Sequence, residues 1–143
     1  MTEAPPRVAF FTDCFHEVNG VALTSRELDR FAVARGVPFF SVHVGPKTKV
    51  ETVGAHITIE VARSFACVPL DAGMDFDILG LRHLETVKRE LKRFQPDVIH
   101  ITGPGDCGLL GAMLAWQMGV PLVASWHTNL HEFGARRLER VLG

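Results

Sequence analysis

Arg7 to Thr12 (RVAFFT) is a continuous apolar run, the pattern of a strand covered on both faces. Beyond a loop containing Asp13, Asn19 and Gly20, the residues Val21, Thr24, Leu28, Phe31 and Ala32 recur at helical spacing, and Gly36 supplies a C-terminal stop. Phe39 to Val44 reads as a second strand. Ile57 to Val61 alternates apolar with polar positions and predicts a strand with one wet face. Arg63 to Gly80, punctuated by Pro69, Gly73 and Gly80, reads as a long loop. Leu84, Val87, Leu91 and Phe94 mark an amphipathic helix that ends before Pro96. Asp97 to Thr102 predicts another buried strand, Gly105 to Met118 a well-buried helix stopped at Gly119, Leu122 to Trp126 a last strand, and His131 to Leu142 a helix.

Strands alternating with helices through short loops predict an α/β chain with a Rossmann-like, doubly wound, mostly parallel sheet. Ligands of such sheets gather at the carboxyl ends of the strands. Those ends are Thr12-Asp13, Thr102-Gly103 and Trp126-His127. The 143 residues suit one domain, and 47% hydrophobic with 22% charged residues is an ordinary globular balance. A net charge of −1 gives no general pull toward nucleic acid. Cys14, Cys67 and Cys107 are widely spaced and odd in number, which suits free thiols in a reducing compartment. The opening MTEAPP lacks a basic-then-apolar targeting pattern, and no apolar run approaches the roughly 20 residues that span a bilayer. A cytoplasmic location is the expectation, with any membrane contact peripheral.

Four motifs bear on chemistry. In Asp13 to Val21 (DCFHEVNGV), a glycine between a first strand and a helix lets backbone N–H groups approach a phosphate at the positive helix end. The same residues also suit an ordinary strand-to-helix loop. Gly103-Pro104-Gly105-Asp106-Cys107-Gly108 spells G-x-G-x-x-G, yet it follows a late strand, and no acidic residue closes the next strand to hold a ribose. That argues against a dinucleotide cofactor and leaves either an anion pocket or a tight turn capped by Asp106.

Trp126-His127-Thr128-Asn129 clusters polar residues just past a buried strand, where they make good ligand contacts. His127 and His131 do not form H-E-x-x-H, so no metal is expected there. His100, inside a strand, suits the core. Lys88, Arg89, Lys92 and Arg93 share a helical face that suits bulk solvent or anionic lipid, each charge near a lipid surface adding about 1 kcal/mol.

The runs RVAFFTDCFHEVNGV, DVIHITGPGDCG and VPLVASWHTN, in this order, resemble the amino-terminal domain of the group 1, or family 4, glycosyltransferases. Among relatives the pattern is most similar to GDP-mannose- or UDP-sugar-dependent α-transferases acting on lipids or glycolipids. The resemblance covers most of the chain and is thinnest between Lys47 and Gly80. It implies one half of a GT-B fold, in which two Rossmann-like domains face each other across a cleft. It also implies metal-independent, cofactor-free sugar transfer with retention of configuration. Gly20 would lie beside the donor diphosphate, and His127 would touch the donor sugar as the catalytic contact. Asp13, Asn19, Thr128, Asn129 and the Gly103-Pro104-Gly105 turn would line the acceptor side.

In that family a carboxyl-terminal domain holds most nucleotide contacts and an acidic E-x7-E motif, and no counterpart is readable within residues 1–143. The expectation is an amino-terminal, acceptor-side half that is inactive alone. The alternative is a stand-alone, non-catalytic phosphate- or nucleotide-binding module. A receiver-type signalling domain would need an acidic cluster at a strand end, where only Asp13 follows the first strand.

Overall fold

The computed structural model describes residues 3–71 and 74–125. In chain order the elements are β1 (Val8–Thr12), α1 (Gly20–Arg35), β2 (Phe39–Gly45), β3 (Lys49–Val53), β4 (His56–Ala62), β5 (Cys67–Asp71), β6 (Met74–Asp77), a short 3-10 turn (Gly80–His83), α2 (Leu84–Phe94), β7 (Val98–Ile101), α3 (Asp106–Met118) and β8 (Leu122–Ala124). The helix ends follow from local chemistry. Asn19 caps α1 by accepting the Ala22 N–H at 2.8 Å, and Gly36 closes it in the left-handed region at φ 63°. Gln95 takes φ 54° at the end of α2, where the following Pro96 disfavours continued helix.

The main sheet has six strands in the order β3-β4-β2-β1-β7-β8. All its pairings are parallel except β3 with β4. The chain winds outward from β1 through β2 to β4, then crosses back to β7 and β8. The α/β, doubly wound, mostly parallel arrangement expected from the sequence is therefore present.

Its two faces differ in chemistry. Ala9, Phe11, Phe40, Val42, Ile59, Val61, Ile99 and Ile101 point to one side, where Val87, Leu91 and Phe94 of α2 and Leu110 and Leu114 of α3 cover them. This is the dry core. Removing one such leucine typically costs about 2–5 kcal/mol. The α1 side holds a smaller apolar cluster of Phe10, Ala32 and Phe39, together with buried Thr12, Ser25, Ser41, His43, His56 and Glu60.

Several sequence expectations change. β4 has no wet face, because its polar positions are enclosed: His56 meets Asp29 of α1 at 2.8 Å, and Glu60 is 5% exposed. The stretch Arg63 to Gly80 is not a loop throughout, since β5 and β6 form an antiparallel hairpin outside the main sheet. β3, which no pattern marked, is an exposed antiparallel edge strand. α3 is buried mainly along one face, and its Trp116 stands 84% exposed. The helix expected over His131 to Leu142 lies outside the described residues.

Candidate functional site

β1 and β7 are adjacent, but the chain leaves them toward opposite sides of the sheet, so a crevice opens at their carboxyl ends. Asp13 follows β1, and the Gly103-Pro104-Gly105 turn follows β7. The structure joins these two motifs. Asp13 Oδ1 accepts the Cys107 N–H at 2.7 Å, at the start of α3. A Cβ on Gly105 would lie 2.5 Å from the Asp13 carboxyl carbon, and one on Gly108 would lie 1.7 Å from the Gly103 carbonyl oxygen. These glycines are required by close approach. The cap comes from Asp13, not from Asp106, and α3 has no side-chain cap of its own. The positive end of α3 thus already faces an anion belonging to the chain. Burial pushes the Asp13 carboxyl up to about 6, against backbone N–H groups of Cys107, Gly108 and Gly105 that favour its charge.

The start of α1 is different. Its first turn contains no acidic residue, Gly20 is exposed, and a Cβ there would meet nothing within 4 Å. Beyond the Ala22 N–H that Asn19 caps, the helix N-terminus opens at Gly20 to free space at the carboxyl edge of the sheet. Arg26 fixes the preceding loop from one turn further along, donating to the Phe15 and Glu17 carbonyls.

Next to this loop, register brings together residues far apart in sequence. Thr12, His43 and Glu60 are partners across β1, β2 and β4, so their side chains share the α1 face. His16 Nε2 lies 3.3 Å and His43 Nε2 lies 3.4 Å from Glu60 Oε2, and Phe15 stacks on His43 at 3.8 Å. Burial and the neighbouring His16 hold the His43 imidazole down at about 4, although Glu60 pulls the other way. Burial alone would raise the Glu60 carboxyl, but the hydrogen bond from His16 and the nearby His43 and Lys49 hold it below its ordinary value. Sequence reasoning missed this group. His43 and Glu60 sit in strands with no motif, and only the β2–β4 register reveals them.

On the opposite face, a narrow cleft partly open to solvent is lined by Arg63, Asp77, His83 and Asp106 among others. Asp106 Oδ1 accepts the Asp77 N–H at 2.9 Å, and its Oδ2 lies 3.5 Å from Arg63 Nε. Asp77 accepts from the Ser64 N–H at 2.7 Å, the Leu79 N–H at 2.9 Å and Arg82 Nη1 at 2.8 Å. Although burial opposes it, these donors and the Ser64 hydroxyl hold the Asp77 carboxyl well below the usual carboxylate range. This network ties the β5–β6 hairpin to the start of α3.

Asp13, Asn19, Gly20, Gly103, Pro104 and Gly105 therefore all lie at the carboxyl edge of the sheet. Trp126, His127, Thr128 and Asn129 lie outside the described residues. His100 is half-buried between Phe10 and Ser125, in edge-on contact with the former and hydrogen-bonded to the latter. Among the four cations of α2, Lys88 reaches Gln117 at 2.8 Å and Arg89 and Arg93 reach Glu90 at 3.3 and 3.4 Å, opposite the buried Val87, Leu91 and Phe94. No helix among the described residues is long and apolar enough to cross a membrane.

In sequence the chain is similar to known glycosyltransferases. The chain is 27% identical over 134 residues to a GDP-mannose-dependent alpha-mannosyltransferase of Corynebacterium glutamicum, covering 92% of this chain and 32% of that protein. It is 28% identical over 133 residues to a sulfoquinovosyl transferase of Arabidopsis thaliana, covering 88% of this chain and 24% of that protein. It thus spans about a quarter to a third of the length of these relatives. The family model described as Glycosyltransferase Family 4 matches residues 18–142, nearly the whole chain, and the chain belongs to that family.

Proposed function

We propose that this chain forms the acceptor-side wall of a glycosyltransferase that moves a sugar from a GDP- or UDP-linked donor to a lipid, glycolipid or saccharide acceptor. The reading extends to transfer with retention of configuration and without a metal ion in the reaction. The observation that carries it is the start of α1 in a Family 4 chain. Asn19 caps the helix, Gly20 leaves open space, and no acidic side chain of the first turn occupies the positive end. During transfer the acceptor hydroxyl attacks the anomeric carbon from the face on which the diphosphate leaves, the bond to the nucleoside diphosphate breaks, and the hydroxyl proton passes to the departing diphosphate, on which negative charge grows. Fixed N–H dipoles aimed at that charge stabilise the transition state without reorganising.

On this reading His127 contacts the donor sugar, while Asp13, Asn19, Thr128, Asn129 and the Gly103-Pro104-Gly105 turn lie toward the acceptor. Asp13 acts there through the turn it holds. The nucleotide contacts come from a further carboxyl-terminal domain, and residues 1–143 by themselves are inactive. The location is cytoplasmic, with Lys88, Arg89, Lys92 and Arg93 resting peripherally on anionic lipid.

The test is kinetic. In the complete enzyme His127→Ala lowers both kcat and kcat/KM. A lost hydrogen bond to a charged group is worth about 1.5–3 kcal/mol, roughly a 10- to 150-fold loss. Unchanged kinetics with a lowered melting temperature would make His127 a packing residue.

A further inference from the structure

Among the described residues, His16, His43 and Glu60 offer three ligand atoms that all lie within 4.8 Å of one another. They come from three separate elements: His16 from the loop after β1, His43 from β2 and Glu60 from β4. We propose that His16 Nε2, His43 Nε2 and Glu60 Oε2 bind a divalent transition-metal ion of the zinc class, with solvent in the fourth position.

Geometry is the first argument. Zinc bonds of about 2.0–2.1 Å in a tetrahedron put neighbouring ligand atoms roughly 3.3–3.4 Å apart. Glu60 Oε2 already stands 3.3 Å from His16 Nε2 and 3.4 Å from His43 Nε2. The remaining His–His edge is at most 4.8 Å, and rotation of the His16 ring, whose side chain is 52% exposed, is free to shorten it. That same exposure opens the fourth position to water.

Charge is the second. Glu60 is buried, and among the described residues no lysine or arginine comes within ion-pair distance of it. Lys49, its neighbour in the β3–β4 ladder, pairs with Glu51 at 3.4 Å instead. A buried carboxylate whose neighbouring lysine lies beyond ion-pair distance is costly, and a divalent cation supplies a charge in direct contact. Gly45 keeps the space clear, since a Cβ there would lie 2.0 Å from the Glu60 carboxyl carbon.

The donor set selects the ion. Two imidazoles and one carboxylate suit zinc and its first-row neighbours better than calcium or magnesium, which take all-oxygen shells. His43 Nδ1 is buried without a hydrogen-bond partner, so an outer-shell acceptor is missing there. Losing such a partner typically weakens a metal site about 10- to 100-fold, so this one is not among the tightest. The bound ion ties the loop after β1, and with it Asn19 and Gly20, to the ends of β2 and β4.

Calorimetric titration of the chelator-treated protein with zinc chloride tests this, with cobalt(II) absorption in the visible as a second readout of coordination. One ion per chain is expected, with visible cobalt bands and a melting temperature that rises with zinc concentration. His16→Ala changes a half-exposed side chain, and its fold is checked by circular dichroism without metal. His16→Ala should weaken zinc binding at least about tenfold and remove the cobalt bands, and Glu60→Gln should do the same. No zinc uptake by the wild-type protein overturns the site. So does uptake that His16→Ala leaves unchanged, because the ion would then be held elsewhere.

Discussion

Asp13, just past β1, accepts the backbone N–H of Cys107 at 2.7 Å and so caps a helix that begins more than ninety residues later. The bond crosses the crevice between β1 and β7 and locks the two loops that flank it. Its electrostatic cost is visible in the carboxyl, which burial raises from an ordinary 3.8 to about 6. An acid whose folded value is raised binds more protons when folded. Its contribution is most favourable below the unfolded value and is lost as pH rises through the folded one.

Asp13→Asn keeps an oxygen to accept the Cys107 N–H but cannot ionise. Between about pH 4 and pH 6 the wild type should lose stability relative to this variant, by on the order of 2–3 kcal/mol. Urea unfolding across that range measures the difference. Parallel pH profiles for the two proteins would show that the carboxyl does not titrate as its burial requires.

Two glycines in the first turns of α1 and α3 should behave oppositely. Gly108→Ala forces a Cβ onto the Gly103 carbonyl oxygen and should destabilise the fold by about 1–3 kcal/mol or more. Gly20→Val adds atoms where nothing lies within 4 Å, so its melting temperature should change little. In the complete enzyme the same change should sharply lower kcat/KM, because the added methyl groups fill the space read as the diphosphate site. Near-normal kcat/KM for Gly20→Val would make that loop ordinary structure.

Asp77 anchors the hairpin through Ser64, Leu79 and Arg82. Its depressed folded value means that its stabilisation is present above the ordinary carboxylate range and disappears as pH falls through it. Asp77→Asn should cost about 1–3 kcal/mol near neutral pH, and the gap from wild type should shrink in acid. A pH-independent gap would assign the loss to packing instead of charge.

What the sequence showed and hid follows from range. β1, α1, α2 and β7 are legible because unbroken apolar runs, 3.6-residue spacing and end residues such as Asn19 and Gly36 act over short stretches. β3 is fully exposed along its length, so burial imprinted no apolar alternation on it. The β5–β6 hairpin carries Pro69 and a register irregularity between Pro69 and Asp71, which read locally as loop. The polar positions of β4 promised solvent because the partners that bury them, His43 and Asp29, belong to other elements. The same limit hid the His16–His43–Glu60 group, whose members meet only through the β2–β4 register and the path of the loop after β1. G-x-G-x-x-G was visible as a string, but its purpose here, close packing against Asp13 and Gly103, needed the β1–β7 pairing.

We propose that residues 1–143 form one wall of a sugar-transfer site whose opposing wall lies in a further domain. Transfer of radiolabelled sugar from GDP- and UDP-linked donors to lipid and saccharide acceptors tests it most directly, comparing the chain alone with a polypeptide that continues into a nucleotide-sugar domain. The expected result is labelled product from the longer polypeptide and only hydrolytic background from the chain alone. Turnover by the chain alone well above that background, or none by the longer polypeptide with any donor, would contradict it.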